Sequence, residues 1–539
     1  MSPSLRLLAT LALAAGIGAC HVHIDDPGTD PRPATLDYPA GIAMDPGGRF
    51  VYVSNGNADL RYGGGTLMML DTHRFECAID AFRGLPPDPS CAAFPTASDI
   101  AVTRDEDNLP ITGCVADPID PQIVDCVEKP FALANSTIRV GNFAGTMRIR
   151  HSGDPATSTN RTIYLAVRGD PSITYLDVDL AKITATPDAN GSIDRPGVIN
   201  CVDDPSELTK RDGYDPATNL TTVPPLCDKS HLIQTYTCTD RFGCAQGDND
   251  IPSEPFNMFV DEGTRPNGTS WARLLVAHLA VGEISLINLL GTPVVADVSP
   301  PFYVANQSGR RGVFGIARRD DPVQPIYYLT SNLTAAISTF HVTDDAAGGI
   351  VVPGAVFSIG AAFSSGADGR ELVFEPGGQR AFMTQNAPPS VAVLDTRINQ
   401  PEGRGLPSNK VVDTIQVCQG PSHLAMRQAK YAGPAGTEPL LQTSLYVICF
   451  TSNQIMIVDP DRPGVNETIL VGRGPNELVF NFSGEETPAA QRMPAPRRRR
   501  AYLTNYSEST IAVLDLEPGS PTENRMIARI GLPLPIPTQ

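Results

Sequence analysis

The sequence predicts an all-β ring of four-stranded blades, and three observations carry that reading. Seven apolar tetrapeptides with the character of strands recur along the chain: Tyr52-Val53-Ser54-Asn55, Tyr164-Leu165-Ala166-Val167, Leu275-Val276-Ala277-His278, Tyr328-Leu329-Thr330-Ser331, Phe382-Met383-Thr384-Gln385, Tyr446-Val447-Ile448-Cys449 and Tyr502-Leu503-Thr504-Asn505. Each is followed by a second apolar run closing on a turn-forming or polar residue, in order Asp71, Asp177, Asn288, His341, Asp395, Asp459 and Asp515. From the first tetrapeptide residue to the closing one the separation is 13 in six copies and 19 in the first, whose extra residues are Gly-rich around Gly63 to Gly65. The third observation is compositional: Gly 47 and Pro 50 in 539 residues supply many turns, and long helical patterns are absent. A hairpin of fixed register repeated at roughly 50 residues cannot bury its own faces and must stack on copies of itself. The architecture this implies is a seven-bladed β-propeller of four-stranded antiparallel blades, carrying two disulfide-rich insertions.

The other strands of each unit follow from the hairpins. Upstream of each lies a short apolar strand, opened by Gly41, Gly145, Asn257, Gly315, Glu371, His423 and Glu477 in turn. Downstream comes a fourth, read at Ser136 to Gly141, Thr414 to Val417, Thr468 to Gly472 and Met526 to Gly531. The ring then occupies residues 36–534, with 535–539 left as a tail. Because the first blade starts with its innermost strand and the last ends with its outermost, blade 7 is expected to be completed by its own C-terminal strand.

With Tyr-Val-Ser-Asn and Tyr-Leu-Thr-Asn standing beside the Leu-Asp-Thr ends at 70–72 and 394–396, the chain resembles the YVTN-type β-propeller repeat proteins. Copies two, three and six depart from that motif, with Val167, His278 and Cys449 where Asn is usual.

Residues 1–19 read as an export signal: Arg6, then an apolar run from Leu7 to Ile17 too short to be a permanent membrane span, then Gly18-Ala19-Cys20. The pattern is similar to a bacterial lipoprotein signal, which implies lipidation of Cys20 as the first mature residue; an ordinary secretory signal is the other reading. His21 after the Cys, by the same resemblance, implies transport to the outer membrane. The expected protein is thus anchored in the cell envelope by its N-terminal lipid. Residues 20–35 read as a flexible spacer, in which His21, His23, Asp25 and Asp26 lack the preorganisation of a metal site.

Without Cys20, ten of the 11 cysteines remain, an even number suited to an oxidising compartment. Cys77, Cys91, Cys114 and Cys126 fall in one insertion, 73–134, and Cys201, Cys227, Cys238 and Cys244 in another, 180–250. Both insertions are Pro- and Asp-rich with little periodicity, so disulfides would stand in for a core; zinc would call for paired Cys-x-x-Cys spacing, which neither has. Both join a third strand to a fourth, so they leave the same face of the ring from adjacent blades and are expected to form a shared cap. Cys418 and Cys449 end strands on one face and are expected to pair.

The net charge of −18 speaks against a nucleic acid partner, since phosphate binding needs a basic face. The run Arg497 to Arg500 is the exception, read either as a solvated loop or as a contact for an anionic group. No nucleophile elbow, zinc-protease helix, phosphate-cradling loop or haem-attachment motif is present. The informative constellation is positional: a propeller gathers the seven inner-strand openings around its axis, so Asn257, Glu371, His423 and Glu477 would share the channel. Carboxylates with an amide suit calcium, and with an imidazole a first-row divalent metal; channel lining is the plainer reading. The closing Asp column is expected to accept backbone hydrogen bonds in tight turns. Three functions follow: a monomeric surface-tethered scaffold binding a protein or glycan; a metal-dependent hydrolase similar to lactonase propellers; and, with one tryptophan and no cofactor-attachment motif, a redox propeller of the quinoprotein kind.

Overall fold

A computed structural model describes residues 29–532 apart from 85–90, 92–102, 105–109, 152–157, 184–196, 205–213, 216–219, 237–249, 265–269, 290–294, 304–311, 321–324, 332–335, 360–367, 399–406, 432–439, 483–497 and a few shorter gaps. The expected lipidation site Cys20 and the pair Cys238 and Cys244 lie outside the described residues.

Seven antiparallel sheets follow one another around a ring. Blade 1 is built from Pro39–Met44, Phe50–Asn55, Gly65–Asp71 and Ile138–Val140, and blade 7 from Pro475–Phe480, Arg500–Asn505, Thr510–Asp515 and Arg525–Ile530. The intervening inner strands are Ala144–His151, Pro255–Thr264, Val313–Arg319, Gly369–Phe374 and Pro421–Tyr431. Inner strands of successive blades touch all the way round, including blade 7 against blade 1.

The apolar tetrapeptides are explained by packing on two sides. Along the second strand of blade 1, Val51 and Val53 enter the cluster shared with blade 7, while Phe50 and Tyr52 enter the cluster shared with blade 2. A strand buried on both faces reads as a continuous apolar run, which is why alternation is missing. Seven such clusters form, one at each blade interface. A large apolar side chain there contributes roughly 1.5–3 kcal/mol by burial.

The polar motif positions have separate jobs. In the closing column, Asp71, Asp395, Asp459 and Asp515 accept from the backbone N–H two residues on, at 3.0, 3.1, 2.9 and 3.1 Å, as tight-turn carboxylates do. At the far end of the hairpin, Asn55 and Asn505 donate to the hydroxyls of Thr66 and Thr510 at 2.8 and 2.9 Å. His278 keeps the same contact in a different residue type, its Nε2 lying 2.9 Å from Ser285 Oγ.

Blade 7 is closed by its own C-terminal strand, antiparallel to Thr510–Asp515, but it does not end there. Val124–Cys126, from the first insertion, adds in parallel to Arg525–Ile530, and Cys114–Ala116 adds beyond it. The second insertion behaves likewise one blade on: Leu226 bridges Arg139 in the outer strand of blade 1, with Arg139 N–H donating to Pro225 O at 2.8 Å. Over their described parts the insertions therefore lengthen the edges of the preceding blades; the second also pairs Ile199–Asn200 and Leu232–Ile233 with the third strand of blade 2, and Leu133 of the first shares a cluster with Val198, Ile199, Cys201 and Cys227 of the second. A free sheet edge offers unpaired backbone groups, and these segments satisfy them.

The first insertion also opens with a helix, α1 (Thr72–Phe82), whose N-terminal N–H groups are capped by Asp71. Phe75, Ala78 and Ile79 bury one face of it in the cluster between blades 7 and 1. Expected disulfides are present as Cys77–Cys91, Cys114–Cys126, Cys201–Cys227 and Cys418–Cys449. Over its described part, 498–500, the basic run is engaged by carboxylates of the chain itself: Arg498, partly exposed, pairs with Asp80 at 3.2 Å, and Arg500, 1% exposed, pairs with Glu76 at 3.0 Å and with Asp515. The expected spacer is packed over its described part, 29–35: Thr29 bridges Tyr62, and buried Ala34 donates its N–H to Thr137 Oγ1 at 3.2 Å.

Candidate functional site

Every inner strand carries an irregularity in its pairing just where the ring axis is reached, for example between Gly369 and Leu372 and between Pro475 and Leu478. A bulge leaves one residue out of the ladder and re-aims its side chain. The freed N–H groups are captured by the hydroxyl of the motif in the next strand: Glu371 N by Thr384 Oγ1 and Glu477 N by Thr504 Oγ1, each at 3.1 Å, and Gly41 N by Ser54 Oγ and Gly315 N by Thr330 Oγ1, each at 2.9 Å. The two glycines meet a neighbouring inner strand. A Cβ on Gly41 would lie 2.1 Å from Gly145 O, and one on Gly315 2.7 Å from Arg370 O.

The other openings deliver the expected side chains to one place. Asn257, Glu477 and His423 are buried and Glu371 is partly buried, and Glu371, His423 and Glu477 line one cavity of about 520 Å3 at the axis. Among them lies a residue that the alignment of strand openings passes over. Arg148, three positions beyond Gly145 on the inner strand of blade 2, reaches Glu477 Oε1 at 3.3 Å and Asn257 Oδ1 at 3.0 Å. Asn257 passes the contact on, donating to Glu371 Oε2 at 3.1 Å, and Glu477 Oε2 accepts from Ile42 N–H at 3.2 Å.

At the expected calcium or first-row metal site of Asn257, Glu371, His423 and Glu477, the structure places the Arg148 guanidinium among the oxygens. Glu371, His423 and Glu477 do not form a group whose ligand atoms all lie within 4.8 Å of one another, and a guanidinium sits on oxygens a cation would use. Among the described residues the one His, Cys, Asp and Glu group that close together is His73 with Cys77 and Cys91, and both cysteines are bound in their disulfide.

The electrostatics of the layer follow from burial. Burial pushes the Glu371 carboxyl up to about 7, the Arg148 guanidinium opposing and the Glu477 charge adding to the rise. Glu477 is likewise raised by burial, against Arg148 and the Ile42 N–H. Burial, with the Arg148 and Arg370 charges, pushes the His423 imidazole down to about 3, so it is neutral at physiological pH. Its Nδ1 is buried with no hydrogen-bond partner. Arg148 spends three of its five N–H donors on Met147 O, Glu477 and Asn257 and keeps two. The layer therefore holds a base titrating near neutrality, a neutral imidazole and an anion-stabilising guanidinium.

No family model matches the chain, and no curated protein matches it. Solved structures similar to it include the periplasmic gluconolactonase of Pseudomonas aeruginosa, 11% identical with a TM-score of 0.42 over 81% of this chain and 87% of that one. Hydrazine synthase of Kuenenia stuttgartiensis is 12% identical, with a TM-score of 0.35 over 81% and 99%. The C-terminal WD40 domain of Sif2 is 7% identical, with a TM-score of 0.34 over 93% and 89%. Likenesses this distant span unrelated activities and decide none of them; the seven-bladed β-propeller assignment rests on this chain's own sheet topology.

Proposed function

We propose that the axial cavity is a metal-free hydrolytic site for an ester of a hydroxy acid, a lactone being the simplest member. The observation that carries this reading is the convergence of Glu371, His423, Glu477 and Arg148 on one cavity. A carboxyl titrating near 7 is matched to general-base work at neutral pH. Glu371 takes a proton from a water, whose oxygen adds to the ester carbonyl. Arg148 stabilises the negative charge that develops on the carbonyl oxygen, the role of fixed donors in a partly desolvated site. The carbonyl carbon to ester oxygen bond then breaks, and the departing oxygen takes the proton back from Glu371, giving a hydroxy acid. His423 offers its bare Nδ1 as an acceptor for a substrate hydroxyl or for the attacking water.

A partner-binding scaffold is the weaker reading. The insertions expected to present a binding cap are engaged, over their described parts, on the edges of blades 7 and 1. With Cys20 lipidated as the sequence expects, the enzyme would work at the surface of an envelope membrane.

The test is lactone hydrolysis by the purified ring, followed by proton release. Glu371→Gln should lower kcat about 100-fold or more, the usual reach of a general base, with the fold unchanged. The wild-type rate should rise with pH as Glu371 deprotonates and level off above about 7. Stability should move the other way. A carboxyl raised in the folded state holds its proton where the unfolded chain has lost it, so stability falls from about pH 4.5 to about 7. Glu371→Gln should flatten that fall. Full activity in Glu371→Gln would end the proposal.

A further inference from the structure

Resting on the hydrolytic reading, we infer that the substrate is an ester or lactone bearing an alkyl chain, and not a polyhydroxylated sugar lactone. The polar side chains of the cavity are concentrated at its floor, where Arg148, Glu371, His423 and Glu477 lie. From there it extends along the inner strands toward their C-terminal ends, and its wall changes character. Met44 of blade 1, Ile149 of blade 2, Ala425 of blade 6 and Val479, Phe480 and Phe482 of blade 7 line it, and all six are partly exposed. All six pack on one side against the clusters of the 7/1, 1/2 and 6/7 interfaces and leave their other side open on the cavity. Among the described residues, His151 is the one polar side chain lining this outer part.

The chemistry of the wall decides the ligand class. Each hydroxyl of a sugar ring that loses water without finding a partner is penalised, and this wall has donors and acceptors at its floor but little along its sides. An alkyl chain gains on the same surface by leaving water. The floor supplies what the head of such a molecule needs: Arg148 for the carbonyl oxygen and then for the carboxylate of the product, with Glu371 beside it. A cavity of about 520 Å3 is of the size that takes a small organic ligand whole. Orientation is then fixed, with the ester at the axis and the chain running out between blades 7, 1 and 2.

The experiment pairs hydrolysis with binding. Turnover of γ-butyrolactone, γ-decalactone and gluconolactone is followed by proton release, and binding of decanoate and gluconate, which have no bond to hydrolyse, by calorimetry. Expected are a kcat/KM rising from γ-butyrolactone to γ-decalactone by up to about fourfold per added methylene, the ratio that ~0.8 kcal/mol per buried CH2 corresponds to, and binding of decanoate but not gluconate. Phe482→Ser and Val479→Ser should each weaken decanoate binding several-fold and flatten the rise of kcat/KM with chain length. Preference for gluconolactone, or turnover indifferent to chain length, would overturn the inference and leave the hydrolytic reading standing. Decanoate binding without turnover of any lactone would do the reverse. No binding of decanoate would end the inference.

Discussion

The outer edges of blades 7 and 4 occupy equivalent places in the ring and are finished in opposite ways. Arg525–Ile530 of blade 7 receives a parallel strand from the first insertion, and Arg529 on it pairs with Asp125 at 2.7 Å and with Asp117. Gly348–Ser358 of blade 4 has no strand beyond it among the described residues, and Ile350 and Val356 are exposed on it. The difference tracks chain connectivity. Blades 4 and 5 are joined directly by the polypeptide, whereas blades 7 and 1 are the last and first units and share no strand within their four-stranded cores. Their interface must be held without a connecting chain, and several kinds of reinforcement meet there, beyond the single buried pairs, such as Arg161 with Asp45, that cross other interfaces. Helix α1, the added strands, the Arg500 and Arg498 ion pairs and the Glu477 contact to Ile42 N–H all cross the closing seam. The backward reach of the first insertion does for this ring what a strand exchanged between the end blades would do.

If the seam carries the stability of closure, disrupting it should cost far more than an equal change elsewhere. Arg500→Met should have the largest effect, about 3–5 kcal/mol in denaturant unfolding, because it strands the Asp515 and Glu76 carboxylates beside a buried site. A loss under 1 kcal/mol would show that the seam closes without this pair. Replacing both Cys114 and Cys126 by Ser should come next, at about 2–4 kcal/mol, and should raise hydrogen exchange in Arg525–Ile530 specifically. Exchange unchanged on that strand would separate the disulfide from the edge it backs. Arg380→Ala on blade 5 should matter least. Its pairs with Glu375 and Asp461 are partly exposed, 29% for the arginine, and such bridges contribute up to about 1 kcal/mol. A cost equal to that of Arg500→Met would abolish the distinction between the two sides of the ring.

What could be read from the chain was whatever repeats. The seven hairpins, their turn carboxylates, the Cys418–Cys449 pair and the gathering of Glu371, His423, Asn257 and Glu477 at the axis all follow from one register applied seven times. What escaped notice occurs once. Arg148 stands three residues past its aligned Gly145, and its importance comes from spanning the axis to blades 3 and 7, a distance no local pattern encodes. The partners of Arg498 and Arg500 lie 418 and 424 residues upstream, so an arginine run in an acidic chain looked unmatched when its matches were merely remote. Helix α1 was legible in principle: Phe75, Ala78 and Ile79 keep helical spacing behind an Asp cap. Eleven residues inside a Pro-rich insertion were too few to stand out.

The hydroxyls of Ser54, Thr330, Thr384 and Thr504 bond to main-chain N–H groups and so take no account of which side chain the bulged residue bears. Backbone and chemistry are thereby decoupled at the axis: the strand is seated by its neighbour's hydroxyl, and the group it aims inward is exchangeable wherever no adjacent strand crowds it. Blades 5 and 7 hold glutamates in such sockets, and blades 1 and 4 hold glycines where crowding forbids more. A propeller organised in this way can change what it recognises at its centre by single substitutions, with no strand moved.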